Sequence, residues 1–294
     1  MPDSATQIFL AHRNLLFTIG YQILGSAADV EDVLQESWLR WVKVDLAQVV
    51  DQRAFLVRIT TRLSLDRLRA LKRRKESYIG PWLPEPLLTA PDVADDVELA
   101  NSVSMAIMLV LETLSPTERA VFVLREVFRV EYDEIAAAVD KTPAAVRQIA
   151  HRARQHVEAR RPRAEVSPRE ARAAVESFRR ALETGDFQTL LKVLAPDAVL
   201  ITDGGGIRQA ALRPIAGAEK LVRFVTGGIR KTGVSLAADP TVINGNPALL
   251  LSVDGQIEGV LAMRVEQARV TGIYYICNPE KLSRVTSETA LARQ

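Results

Sequence analysis

The chain has 294 residues, 48% hydrophobic and 25% charged, which is the balance of ordinary globular domains; wholesale disorder is excluded, and the length implies two or three compact units. A single cysteine, Cys277, excludes an internal disulfide and a cysteine-cluster zinc site, and three histidines (His12, His151, His156) leave little for a metal centre, so no metal or cofactor is expected. The net charge of +2 is a cancellation: residues 26–52 hold two basic and six acidic side chains, 53–75 nine basic against Asp66 alone, and 82–118 seven acidic and none basic.

The first 75 residues read as helices. Ile8, Leu15, Leu16, Ile19 and Ile23 form an apolar stripe of helical period, which Gly25-Ser26 ends. Ser26 or Asp29 can cap a second helix through Val30, Val33, Leu34, Trp38 and Trp41. A third spans about 53–74, with Phe55, Ile59, Leu63 and Leu65 inward and arginines outward. An acidic helix beside a basic one implies two partners, one basic and one polyanionic. The prolines of Gly80-Pro81-Trp82-Leu83-Pro84-Glu85-Pro86 forbid regular helix or central strand, so this segment, with the acidic stretch after it, is expected to be an interdomain linker.

Helical periodicity resumes near Val97 and persists to about Arg161. Within it a short helix ends near Val139, a tight turn follows, and a longer helix starts with Thr142 as N-cap and Pro143 at its first position. Val146, Ile149, Ala153 and Val157 share one face and are expected to bury it against the first helix. The opposite face offers Ala144, Arg147, Gln148, His151, Arg152 and Arg154. Arg and Gln can pair bidentately with purine edges while the other basic residues reach phosphates, so this helix-turn-helix is expected to bind DNA.

After Pro162 and Pro168 the character changes. Helices at about 168–184 and 187–194 precede short apolar runs at 198–202, 248–253, 257–265 and 270–276, with a helix at about 217–227 among them. Helices followed by mainly antiparallel strands give an α+β layer pattern. No solenoid-length repeat is visible. With no apolar signal core at the start and no window of about 18–20 apolar residues, a cytoplasmic protein with no membrane partner is expected.

Two motifs carry a resemblance. Asp29-Val30-Glu31-Asp32-Val33-Leu34-Gln35-Glu36-Ser37-Trp38 is similar to the acidic helix of sigma-70-family domain 2, and Leu114-Ser115-Pro116-Thr117-Glu118-Arg119 followed by Val121-Phe122-Val123-Leu124-Arg125 resembles the entrance to sigma domain 4. In this order, with a short linker between, they look like an extracytoplasmic-function (ECF) sigma factor over residues 1–161. The tail resembles a SnoaL-like (nuclear-transport-factor-2-like) cone through Asp203-Gly204-Gly205-Gly206, the Gly217-Ala218 helix start and Cys277-Asn278-Pro279-Glu280-Lys281-Leu282; with Trp82-Leu83-Pro84-Glu85-Pro86 these motifs indicate the subgroup with a fused SnoaL-like domain.

The resemblance implies a multidomain protein with two all-α sigma domains and an α+β cone: domain 2 at 1–78, a Pro-rich acidic linker at 79–96, domain 4 at 97–162, the SnoaL-like regulatory domain at 168–285 and a tail at 286–294. It implies that Asp29, Glu31, Asp32, Gln35 and Glu36 dock on the clamp helices of the β′ subunit of core RNA polymerase, with the β flap as a further contact. Arg53, Arg58, Arg62, Arg69, Lys72, Arg73 and Arg74 would hold the −10 promoter element, and Thr142, Ala144, Ala145, Arg147, Gln148, His151, Arg152 and Arg154 would read the −35 element. Trp82, Leu83, Pro84, Glu85 and Pro86 would meet Asp203, Gly204, Gly205 and Gly206 in a regulatory contact acting in cis. Asp140 stands where the family often has glycine, and Ile207-Arg208 where members often have lysine.

The function expected is therefore a sigma factor that directs core polymerase to promoters and initiates transcription without catalysing anything itself. The alternatives are a promoter-tethered SnoaL-fold enzyme and a DNA-binding regulator independent of polymerase. The tail has no histidine, and a lone carboxylate such as Asp203 beside three glycines reads as a turn rather than a general base. A cone that does no chemistry could still take a small-molecule ligand in its pocket.

Overall fold

A computed structural model of the protein describes residues 4–90, 96–160, 166–232 and 236–293, and leaves the side chains of 73–76 and 228–232 undescribed. The chain divides into two compact units: Met1–Glu76 with Ile107–Arg161 and Ala290–Gln294, and Ser77–Ala106 with Pro162–Thr289.

The first unit is helical. α1 (Ser4–Leu24), α2 (Ala27–Trp41) and α3 (Gln52–Glu76) pack on one another, and α5 (Met105–Glu112), α6 (Pro116–Phe122), α7 (Tyr132–Val139) and α8 (Pro143–Glu158) complete it. From Leu15 to Leu24 every residue of α1 is buried, polar Thr18 and Gln22 included, so this helix is enclosed by neighbours on all sides rather than amphipathic. Gly20 lets α2 approach closely, because a Cβ there would meet Val30 at 3.1 Å. Ser26 caps α2 by accepting from the Asp29 amide, and buried Trp41 donates its indole N–H to the Ala5 carbonyl. On α3 the inward residues are Leu56, Thr60, Leu63, Ser64 and Leu68, whereas Phe55 and Ile59, expected inside, are half-buried; Phe55 instead packs near Trp41.

Arg119 of α6 is 1% exposed. It donates to the Gln22 carbonyl at 2.7 Å, one of the orphan acceptors at the end of α1, and pairs with Glu112 at 2.6 Å. Arg62 of α3 donates to the Ala137 carbonyl of α7 at 2.7 Å. These bonds join the first three helices to the helix-turn-helix. A π-helical turn, Val123–Val127, links α6 to α7.

In the second unit, among the described residues, one sheet has the order β2-β1-β6-β5-β4-β3, from β1 (Leu194–Asp203), β2 (Ile215–Ala216), β3 (Leu236–Ile243), β4 (Asn246–Val253), β5 (Gln256–Glu266) and β6 (Arg269–Ile276). Among the described strands of this sheet, only the β1–β6 pairing is parallel. Register shifts at Leu251/Ser252 and Arg264/Val265 mark bulges of the kind that bend a strand. α9 (Pro168–Thr184), α10 (Phe187–Val193) and α11 (Ala218–Thr232) cover a core that includes Phe178, Leu190, Leu221, Leu249 and Ile273. This is the α+β part of the molecule.

β3 goes beyond the strands expected from sequence. Asp239 and Pro240 break its apolar run, and it lies at a sheet edge, where a proline is tolerated. The linker residues also differ from a free tether. Leu88 bridges Ile243, the Thr89 amide donates to Val242, and Leu87 exchanges hydrogen bonds with Asn244, so the segment covers the end of that edge. α4 (Val97–Val103), read from sequence with the helix-turn-helix helices, clusters with this unit: Asn244 and Asn246 donate side-chain N–H to the Val103 and Ala100 carbonyls.

Candidate functional site

α2 presents its acidic residues unequally. Gln35 and Glu36 are exposed, with Glu36 held by Arg40 at 2.6 Å one turn on. Asp32 is exposed and 3.0 Å from Arg67, and Glu31 pairs with Arg13 at 2.7 Å. Asp29 is buried and paired with Arg67 at 2.6 Å, so it fastens α2 to α3 rather than facing outward. The exposed face therefore centres on Asp32, Gln35, Glu36 and apolar Leu39.

On α3, Arg69 and Lys72 are exposed, Arg69 with Asp66 at 2.8 Å. Arg53 is half-buried, and half-buried Arg58 lies over the Phe55 ring, 4.9 Å from its centre. Arg62 is occupied by the Ala137 carbonyl. The side chains of Arg73 and Arg74 lie outside the described residues.

The helix-turn-helix forms around Asp140, which ends α7 in the left-handed region at φ 56°, ψ 56°. Thr142 caps α8 by accepting from the Ala145 amide, and Pro143 takes the first turn. Val146, Ala150, Ala153 and Val157 are buried; Ala150 takes the inward place expected for Ile149, which is half-buried. Arg147, Gln148, His151 and Arg152 are exposed and line one open concavity, with Ala144 exposed and Ala145 half-buried at the helix start. Arg154 is turned elsewhere: it makes a two-pronged bond to Glu126 of the π-helical turn, at 2.6 and 3.1 Å. Four polar side chains on one exposed face, behind a capped N-terminus, suit the width and donor pattern of a DNA major groove.

The second unit holds a buried polar cluster at the end of β1. Asp203 is paired with Lys281 at 2.8 Å, with side-chain exposures of 0% and 8%. The same carboxylate accepts from the Tyr78 hydroxyl at 2.5 Å, from the Leu83 amide at 2.8 Å and from the Gly205 amide at 3.2 Å. Lys281 also donates to the Leu83 carbonyl at 2.7 Å, and its ammonium lies 3.4 Å from the centre of the Trp82 ring. Tyr78 packs edge-on against Trp82 and accepts from the Asn278 amide at 2.9 Å. Burial, and then the carboxylate it bonds, push the Tyr78 hydroxyl well above the ordinary tyrosine range.

The loop after Asp203 needs its glycines. A Cβ on Gly204 would stand 2.3 Å from the Arg208 carbonyl oxygen, and Gly205, at φ 66°, has the Asn278 side chain where its Cβ would be. Asp203 is thus the centre of a desolvated network, not the simple turn its sequence setting suggests. Leu83, Pro84, Glu85 and Pro86 are buried and Trp82 is half-buried; of these, Leu83 bonds the carboxylate and Trp82 faces its lysine partner. Tyr78 was missed by reading the sequence, because a single tyrosine at a helix end carries no pattern; Asn278 and Lys281 were visible only as part of a motif. Arg208, beyond the glycines, pairs with Glu258 at 2.8 Å. Among the described residues no helix is long and apolar enough to cross a membrane.

Comparison with known proteins converges on the same regions. Residues 8–74 match the model of Sigma-70 region 2, and residues 104–157 that of Sigma-70, region 4. The chain is 36% identical over 288 residues to the ECF RNA polymerase sigma factor SigJ of Mycobacterium tuberculosis, covering 94% of this chain and 92% of that protein. It is 31% identical to the probable ECF RNA polymerase sigma factor SigI of the same species, covering 97% of each. The crystal structure of the M. tuberculosis SigJ superimposes with a TM-score of 0.77 at 32% identity, covering 95% of this chain and 98% of that one. With both sigma regions present in order and the likeness continuing through the α+β domain, the chain belongs to the ECF sigma factors of the sigma-70 family, in the subgroup that carries a SnoaL-like domain.

Proposed function

We propose that this sigma factor docks on core polymerase through the exposed face of α2, against the β′ clamp helices, with the β flap receiving region 4. In this reading α3 holds the −10 element through Arg69, Lys72 and their neighbours, and Arg147, Gln148, His151 and Arg152 of α8 read the −35 element. The SnoaL-like domain adjusts this activity in cis, in the cytoplasm where polymerase works. The observation that carries the cis regulation is the continuity of one segment: α3 ends at Glu76, and the next residues run straight into the Asp203–Lys281 cluster through Tyr78, Trp82 and Leu83. A change in that cluster therefore acts on the chain that leaves the −10 helix.

Catalysis stays with core polymerase. Asp203, the carboxylate the SnoaL-like fold would offer as a base, is committed to an ammonium, a phenol and two backbone amides, which leave it occupied. Run-off transcription with core polymerase tests the reading. Trp82→Ala and Gly205→Asp should each alter transcript yield in the same direction, with a double mutant well short of additive, because both disturb one network. Additive effects would separate loop from linker, and wild-type yield from both variants would remove the cis role.

A further inference from the structure

The face of α8 that lines the concavity is not supported by α8 alone. α7 begins at Tyr132, and two guanidinium groups lie over its ring: Arg125, 4.4 Å from the ring centre, and Arg147, 5.5 Å from it. Arg125 comes from the π-helical turn Val123–Val127 and is fixed there, donating to the Val130 carbonyl at 3.0 Å and standing 3.5 Å from Glu131. The same turn supplies Glu126, which grips Arg154 further along α8. The turn thus reaches the reading helix at two places, once directly and once through the tyrosine.

The consequence for Arg147 is conformational. An exposed arginine samples many rotamers, and a base edge demands one planar orientation of its fork. A guanidinium lying over an aromatic face is restrained in position while its N–H edge stays available. Arg147 is the one member of the exposed reading face that has such a partner among the ring contacts of the described residues. Its partner ring is half-buried and itself held by Arg125, so the restraint is anchored in the domain rather than in solvent.

We propose that Tyr132 is a positioning residue for promoter reading: its ring, held by Arg125, pre-orients Arg147 and so sets a preference for guanine at one base pair of the upstream element. Guanine is the base whose paired major-groove acceptors match an arginine fork. The proposal rests on α8 being the −35 reader, and its experiment separates the two.

Holoenzyme reconstituted with core polymerase is used to select duplexes randomised across the upstream element, with wild-type protein, Arg147→Ala, Tyr132→Phe and Tyr132→Leu. Wild type should enrich guanine at a position that Arg147→Ala loses. Tyr132→Phe, which keeps the ring, should retain that preference. Tyr132→Leu should lower it about two- to fivefold at that position alone, the range of an exposed cation–π contact. Its salt dependence should match wild type, because no charge has been removed. Should Tyr132→Leu fail to fold by circular dichroism, Tyr132→Met is the second truncation, and Arg125→Met, which leaves the ring but frees it, should weaken the same position. Undiminished guanine selection by the truncated variants overturns the proposal. So does a loss shared by Tyr132→Phe, or one spread evenly over all positions. An Arg147→Ala selection identical to wild type overturns the reading of α8 itself, and the proposal with it.

Discussion

Asp203 and Lys281 form an ion pair taken almost wholly out of water, which is costly unless each charge has further partners. Here the carboxylate has a phenol and two amides, and the ammonium has a carbonyl and an indole face. Removing one partner is therefore much worse than removing both. Lys281→Met should cost about 3–5 kcal/mol of unfolding free energy measured with denaturant, and adding Asp203→Asn should recover part of that loss. A loss below about 1 kcal/mol would mean the pair is solvated in solution. The glycines and the linker prolines announced this neighbourhood in the sequence. The burial of the charges did not show, because Tyr78, Asn278 and Lys281 are brought to Asp203 from distant parts of the chain.

Elements were legible where local rules decide them. The caps of α2 and α8 follow from Ser26 and Thr142, and the strands with unbroken apolar runs follow from β propensity. β3 was hidden because its pairing with β4 outweighs the proline within it, and α4 because nothing in a short helix says which unit will claim it. The turn between α7 and α8 is a case where the local rule is strained: Asp140 adopts left-handed backbone that glycine accepts without a Cβ penalty. Asp140→Gly should raise the midpoint of thermal unfolding of the helical unit, by roughly 1 kcal/mol in stability, without changing the selected promoter sequence. An unchanged or lower midpoint would show that the aspartate side chain offsets its own strain.

At the scale of the whole molecule, formal charge is a poor guide to which arginines are available to a polyanion. Arg152 is exposed on the reading face, whereas Arg154, two residues on, is engaged by Glu126. Arg152→Ala should therefore weaken promoter binding and reduce the salt slope by about one counterion, while Arg154→Ala should leave the slope unchanged and lower stability instead. Equal slopes for the two variants would contradict this division. The sequence placed both on one helix face; only packing against the π-helical turn distinguishes them.

The bonds of Arg119 and Arg62 also set a limit on reach. They gather α3 and α8, the helices proposed to hold the −10 and −35 elements, into one compact body, and a body of that many residues has a radius of gyration of about 14 Å, hence a breadth of roughly 37 Å. Two promoter elements about 25 base pairs apart are separated by roughly 85 Å of duplex. A caliper closed to less than half the object it must measure cannot hold both ends of a straight duplex, so under the proposed roles, engaging the two elements at once on straight DNA requires α1 to release the Arg119 side chain and α7 to release Arg62. Dyes attached through cysteines at exposed Ala70 and Gln155 would report the jaw width. The native cysteine will not compete for label, since Cys277 is buried and its thiol is pushed up to about 11 by that burial. The energy transfer should be high in the free protein and fall on adding core polymerase with promoter DNA; a constant value would mean that the DNA, not the protein, changes shape.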